Sequence, residues 1–415
     1  MKRIGILLDG FDGWGGGVRF VELISSALTE ISIDHRIRLF IFYTTNTNKI
    51  VKNLISQILR FMRSGDISHL YLLPAFKIIK NSAIKKQLLF PTKHLVFCNY
   101  IGTLHALKKV LNIKKIEILI LSSKPLNTLP IPWIGYLPDC QHKHFPNFFS
   151  HNDLMDRDKY FINMLESAKD IIVNSHEVKK DLFKFYKSVK KFPKIHVLLF
   201  SPVLNKNSIK FAYDISSNVC QNFGVGKHPF FIISNQFWIH KDHRTAFLAF
   251  SKFIKSDKKF KEWRLICTGS SHDSRSPEYF DDLKSLLVEL NISKNVIMTG
   301  YINREDQLSL IASSVSMLQP TKFEGGPGGG SVYDAIALGV PCIVSNIPIN
   351  YEISSGRVNY FNLGDFNEMA ELMISAAISD KRTVNVDLLI KENQERLKKL
   401  SKQLICISKA AVKYA

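Results

Sequence analysis

Short apolar runs alternate with stretches of helical period along almost the whole chain. RIGILL (3–8), IRLFIFY (37–43), IEILIL (116–121), DIIVNS (170–175) and KIHVLLF (194–200) read as buried strands. Between them lie amphipathic segments such as Val18 to Leu28, where Val21, Ile24 and Leu28 share one face. Uninterrupted β-rich runs separated by helices predict parallel sheets covered on both faces. The rhythm lapses over 201–228, which is polar and ends in Gly224, Gly226 and Pro229. It then restarts with FFIIS (230–234), RLICTG (264–269), NVIMTG (295–300), VSMLQP (315–320), PCIVSN (341–346) and VNYFN (358–362). Helical patterns fill the gaps near 244–256, 277–290, 304–313, 330–338 and 366–379.

The expected organisation is therefore an N-terminal domain over 1–205, a linker over 206–228, a C-terminal domain over 229–385 and a Lys-rich C-terminal helix over 386–415. A chain of 415 residues is too long for one hydrophobic core, which agrees with two domains. Both read as α/β, doubly wound, Rossmann-like parallel sheets facing a cleft, with ligands at the carboxyl ends of the strands.

Composition adds little to the fold: 46% apolar and 22% charged residues exclude disordered and fibrous classes. Charge changes the picture more. Lys and Arg number 56 against 36 Asp and Glu, a net +20 that favours phosphates, anionic lipid or nucleic acid as partners. Residues 51–115 hold twelve Lys/Arg and one acid, Asp66, so this tract is either a solvated face or a working anionic surface. The six cysteines form neither a CxxC pair nor a metal spacing, which fits a reducing compartment. The apolar run in MKRIGILLDG is too short for a secretory signal, and no window is long enough to span a bilayer. A cytoplasmic protein, soluble or peripheral, is expected.

The densest chemistry lies in TKFEGGPGGGSVYDAIALGVPCIVSNIP (321–348). A strand ends, a glycine-rich turn follows, and a helix opens near Gly330 and Ser331. Gly326, Gly328, Gly329 and Gly330 let backbone approach a ligand closely, and a helix N-terminus suits a diphosphate. Glu324 and Asp334 flank the turn, and carboxylates accept hydrogen bonds from sugar hydroxyls.

This segment resembles the nucleotide-sugar motif of glycosyltransferase family 4, retaining enzymes of the GT-B fold. That motif has an acid after Phe, seven intervening residues, and a second acid opening an Ala-x-Ala-x-Gly helix. Glu324 matches the first acid and Asp334 the second, although nine residues intervene and the second acid is Asp instead of Glu. The resemblance implies that Glu324 holds the donor sugar's hydroxyls and Asp334 the nucleotide ribose, with Gly328, Gly329, Gly330 and Ser331 around the diphosphate.

Three further segments resemble the same family. In IISNQFWIHKDHRTAFLAF (232–250), Lys241 takes the place of a lysine that grips the diphosphate, while Gln236 stands where the family often has an Arg. A plain surface lysine is the alternative. In MTGYINREDQLSLI (298–311), Gly300, Tyr301 and Ile302 match backbone that meets the base, or Tyr301 is merely a cleft wall. In LDGFDGWGGGVRFVELISSAL (8–28), Gly15, Gly16 and Gly17 precede a helix and resemble the acceptor-side glycine loop facing the donor phosphates.

WIGYLPDCQHKHFPNFF (133–149) has Pro138 where the family often has a His, followed by Asp139. Its wording resembles a bacterial surface-polysaccharide subgroup. Asp139 is the first candidate for a polar contact to the sugar or acceptor and His142 the second; a capped turn with exposed histidines is the alternative. His142, His144 and His151 lack a zinc context, and Asp156-Arg157-Asp158 has no apolar strand before it to hold a cation, so no metal or cofactor is expected. No nucleophile elbow or P-loop is present.

The resemblance implies transfer of a sugar, with anomeric retention, from a GDP- or UDP-linked donor (GDP-mannose and UDP-sugars are the candidates) to a polysaccharide or lipid-linked glycan. It places the enzyme in polysaccharide or lipopolysaccharide biosynthesis, peripheral on the inner membrane face, with the basic tract against anionic lipid. Two other classes fit parts of the sequence: an epimerase or other non-transferase on this fold, and a silent polyanion-binding protein. No RNA-recognition signature supports nucleic acid.

Overall fold

The computed structural model describes residues 2–11, 15–30, 37–44, 95–273, 275–380 and 382–413. Strands β1 (Lys2–Leu7), β2 (Ile37–Thr44), β3 (Leu95–Tyr100), β4 (Ile118–Ser122), β5 (Trp133–Tyr136), β6 (Asp170–Val173) and β7 (Lys194–Val197) form one parallel sheet. Their order is β3-β2-β1-β4-β5-β6-β7. Helices α1 (Gly15–Glu30), α2 (Leu104–Ile113), α3 (His151–Ser167) and α4 (His176–Phe185) accompany it. Neighbours in β2 show why the runs are apolar throughout. Leu39 and Ile41 enter one core cluster, and Phe40 and Phe42 enter the cluster on the opposite face.

The second sheet comprises β8 (Phe230–Ser234), β9 (Arg264–Thr268), β10 (Val296–Gly300), β11 (Ser316–Gln319), β12 (Cys342–Ser345) and β13 (Val358–Phe361), in the order β10-β9-β8-β11-β12-β13. Its pairings are parallel too, and β8 alternates Phe230 and Ile232 against Phe231 and Ile233 between two cores. The strand order reverses beside β1 in the first sheet and beside β8 in the second. Each reversal opens a crevice at the carboxyl ends of β1 and β4, or of β8 and β11.

Residues 206–228 are not a linker. They form α5 (Lys206–Asp214) and α6 (Ser216–Asn222), which bury Ile209, Ala212, Val219 and Cys220 in the C-terminal core. Helices this short show too few turns for a period to emerge from polar surroundings. Strand β3 is likewise absent from the runs expected above, because LVFCNY lies at the edge of the basic tract and carries Asn99. Residues 51–94 of that tract lie outside the described residues.

The C-terminal domain continues with α7 (His243–Ser256), α8 (Tyr279–Glu289), α9 (Arg304–Ser313), α10 (Gly329–Ala337) and α11 (Phe366–Ile378), close to the expected bounds. Then α12 (Val386–Lys413) returns to the first domain. Leu389 and Ile390 pack in the C-terminal core, whereas Leu397, Leu400, Leu404, Ile407 and Ala411 pack in the N-terminal one. Between the two sets stands buried Asn393. It accepts from the Leu204 backbone N–H at 2.7 Å and donates to the carbonyls of Ala337 at 2.9 Å and Leu389 at 2.8 Å.

Replacing Asn393 by Leu strands those backbone groups in a buried site. Asn393→Leu should destabilise the protein by about 1–3 kcal/mol in urea unfolding, and a change within error would show the contacts to be idle.

Candidate active site

The loop after β8 delivers Lys241. Residues Ile239–Lys241 make one tight turn, ended by Asp242 in the left-handed region at φ 51°, and α7 begins immediately after it. The loop after β11 supports that turn: the Lys322 backbone N–H donates to the His240 carbonyl at 2.7 Å, and the Thr321 hydroxyl does so at 3.2 Å. Burial, reinforced by the Lys241 charge, pushes His240 down to about 2 and His243 to about 3. Both imidazoles are therefore neutral, and Lys241 is the cation of this turn.

Lys241 and Glu324 meet at the β8–β11 crevice. Nζ donates to Glu324 Oε1 at 2.5 Å, and the two side chains are 9% and 8% exposed. Gln319, the last residue of β11, donates to the same oxygen at 2.6 Å and to the Gly328 carbonyl at 3.1 Å. Its own Oε1 accepts from Asn235 at 2.5 Å, and Asn235 in turn accepts from the Ser331 hydroxyl at 3.4 Å. Asn350 accepts from the Gly328 N–H at 2.8 Å. The glycine-rich turn is thus a scaffolded cradle. Gly329 has φ +69°, and a Cβ there would lie 2.7 Å from Glu324 Oε2, so only glycine fits.

Asp334 sits on the second turn of α10 and is engaged by two arginines. Arg304 grips it with both terminal nitrogens, and Arg19 of α1 reaches across from the N-terminal domain, Nη1 to Oδ2 at 3.1 Å. Arg19 also donates to Gln307 at 3.0 Å. Beside them is half-buried Glu22. Burial pushes its pKa up to about 7 against the opposing pull of Arg304 and Arg19, with Asp334 adding to the rise.

Gly300 adopts φ +69°, Tyr301 is 84% exposed, and Ile302 packs against the C-terminal core. Gly16 and Gly17 do not precede a helix as expected. With Gly15 they form the first turn of α1, and residues 12–14 lie outside the described residues. Asp139 does face the cleft: a Cβ on Gly325 would lie 3.0 Å from Asp139 Oδ2, while Asp139 Oδ1 accepts from the Gln141 N–H at 2.9 Å.

His142 is a correction. At 1% exposure it is a core residue, bonded through Nε2 to the Tyr186 hydroxyl at 2.9 Å and Asp158 at 3.2 Å. Burial lowers its pKa, so a neutral ring packs against Phe161. Asp158, from the D-x-D triplet, is spent on this contact and on Lys143 at 2.6 Å. The neighbouring ring of His144 reaches the C-terminal domain instead, 5.6 Å from Phe323.

Several functional residues lay beyond the motif reading. Gln319 carried a signal, as a fully buried polar residue at the carboxyl end of an apolar strand. So did Arg304, a cation at a helix N-terminus, where the dipole disfavours it. Arg19 had no such mark.

Residues 220–383 match the family model described as glycosyl transferases group 1. The match spans most of the C-terminal domain. Lys241, Glu324, Asp334 and Arg304 fall within the matched segment, whereas Arg19 and Glu22 lie outside it. Among solved structures, a glycosyltransferase from Rickettsia africae is 14% identical with TM-score 0.63, covering 100% of this chain and 99% of its own. Sucrose-phosphate synthase from Thermosynechococcus elongatus is 14% identical with TM-score 0.64 over 100% of both chains. HepE of Anabaena, solved with UDP, is 12% identical with TM-score 0.63, covering 99% of this chain and 100% of its own. At such identity the likeness is one of fold, and that fold is GT-B. No curated protein sequence matches the chain.

The Glu22 environment gives a pH signature. Its folded pKa of about 7 lies above the ordinary 4.5, so its protonated form stabilises the fold at low pH. Relative to Glu22→Gln, the wild-type chain should lose stability as pH rises from about 4.5 to about 7 and level off above. Parallel melting-temperature profiles for the two proteins would contradict this.

Proposed function

We propose that the chain is a retaining glycosyltransferase that moves a sugar from a nucleotide-diphosphate donor to a polysaccharide or lipid-linked glycan. The buried Lys241–Glu324 pair beside the glycine-rich turn, inside the family-matched segment, carries the reading. As the bond from the anomeric carbon to the diphosphate breaks, negative charge grows on the departing oxygens. Lys241 has N–H donors beyond the one given to Glu324, and the first N–H groups of α10 add more. Donors aimed at that charge stabilise the transition state more than the ground state. Glu324 would hold donor-sugar hydroxyls and Asp334 the ribose. The acceptor hydroxyl attacks from the leaving-group face, its proton passing to the departing phosphate oxygen, so no protein nucleophile is required. The nucleotide is UDP or GDP; the HepE complex with UDP favours the first, and mannose remains the candidate sugar for the second.

A cavity of about 440 Å³ opens at the β1–β4 crevice, lined by Phe11, Lys124, Tyr136, Pro138, Arg157 and Tyr160 among others. It adjoins Pro138 and Asp139, and its mixture of aromatic rings and charged groups suits a sugar acceptor. Membrane attachment finds support in α2. Ile113 at its end and Ile101 just before it are 64% and 75% exposed, and Lys109 and Lys115 are exposed as well. No helix among the described residues is long and apolar enough to cross a membrane.

Thermal stability against UDP-, GDP-, ADP- and dTDP-sugars tests the donor. One nucleotide class should raise the melting temperature, and Lys241→Ala should cut turnover on the order of 100- to 1000-fold. Failure of every nucleotide sugar to shift the melt would dispose of the transferase reading. Flotation with anionic liposomes at low salt should recover the protein, each surface Lys/Arg contributing roughly 1 kcal/mol. A chain that stays at the bottom of the gradient has no membrane partner of this kind.

A further inference from the structure

Asp334 is engaged from both sides of the cleft. Arg304 takes it as a fork from within the same domain, and Arg19 takes it with a single N–H from the other domain. A carboxylate offers about four lone-pair positions, so three N–H donors leave about one. A ribose diol brings two hydroxyl donors, and one existing contact must yield. Arg304 is bidentate and part of the same rigid unit. Arg19 holds Asp334 by one 3.1 Å bond and neutral Gln307 by another at 3.0 Å, and its side chain is 39% exposed. Arg19 is the one to leave.

Its destination is close. Arg19 Nη1 stands 3.9 Å from where a Cβ on Gly330 would lie, at the opening turn of α10. The charges favour an incoming anion there: two guanidinium groups face one ionised partner, Asp334, while Glu22 is held largely protonated below pH 7. The position also answers a deficit, because Gln236 leaves the opposite loop with one cation, Lys241, for a group carrying about two negative charges.

We propose that Arg19 is a diphosphate-binding residue supplied by the N-terminal domain: the nucleotide's ribose displaces it from Asp334, and the released guanidinium turns onto the donor diphosphate. This rests on the nucleotide-sugar reading above. The cation that bridges the cleft thereby exchanges one anchor on the far side for another.

The test is calorimetric titration of UDP, GDP, uridine and guanosine into the wild-type chain, Arg19→Gln and Arg19→Lys. Arg19→Gln should weaken the bound diphosphate about 10- to 100-fold, the range for a hydrogen bond to a charged group, and leave nucleoside affinity equal or improved. Arg19→Lys should recover part of the loss. Unchanged diphosphate affinity in Arg19→Gln overturns the proposal alone, as does an equal loss for nucleoside and diphosphate, which would mark a packing residue. A wild-type chain that binds neither diphosphate removes the nucleotide-sugar reading and this proposal with it.

Discussion

A lysine and a glutamate, each hidden from water by more than nine-tenths, lie in contact at the centre of this molecule. Desolvating two charges is expensive, and the polar groups packed around the pair offset part of that cost. Gln319 shares the carboxylate, Asn235 fixes Gln319, and the backbone of Gly328 is held from one side by Gln319 and from the other by Asn350. The loops after β8 and β11 therefore have little freedom. One is stapled to the other through His240 and Lys322, and a chain reversal in the left-handed region hands Lys241 to the pair. The parallel topology brings these loops together in the first place, because β8 and β11 are neighbours whose helices leave on opposite sides.

What the sequence disclosed follows from that economy. Buried parallel strands need apolar residues on both faces, so nearly every one stood out as an uninterrupted run. The glycines and Glu324 stand out because a glycine-rich turn flanked by an acid has a recognisable chemistry, whereas Lys241 is singled out only by the resemblance of its segment to the family's. His142 was misread for the converse reason: a histidine near a motif looks the same in sequence whether its ring points to the cleft or, as here, into the Tyr186 and Asp158 contacts. Arg19 and Arg304 could not be paired with Asp334 from sequence, since 315 and 30 residues separate them; domain packing brings Arg19 to it, and the packing of α9 beside α10 brings Arg304. The linker reading failed at α5 and α6, where burial comes from tertiary contact with the C-terminal core and not from any long amphipathic stripe.

The two sheets are also unequal partners. The C-terminal crevice is dense with hydrogen-bonded polar groups, whereas its N-terminal counterpart is a roomy cavity with aromatic walls. Tight polar scaffolding suits a ligand of fixed chemistry, and a looser lined space tolerates variation. The division is in keeping with the donor and acceptor sides proposed above.

Helix α12 begins on one core and ends on the other, its Leu397 to Ala411 seam lying against Ala27 and Leu28 of α1. The N-terminal domain is therefore discontinuous: its last wall is encoded after the whole of the second domain. A recombination event that exchanged residues 1–205 for those of a relative would leave a foreign groove facing this helix. Lineages that reshuffle the two halves must carry α12 along with the first, or let the two surfaces drift in step.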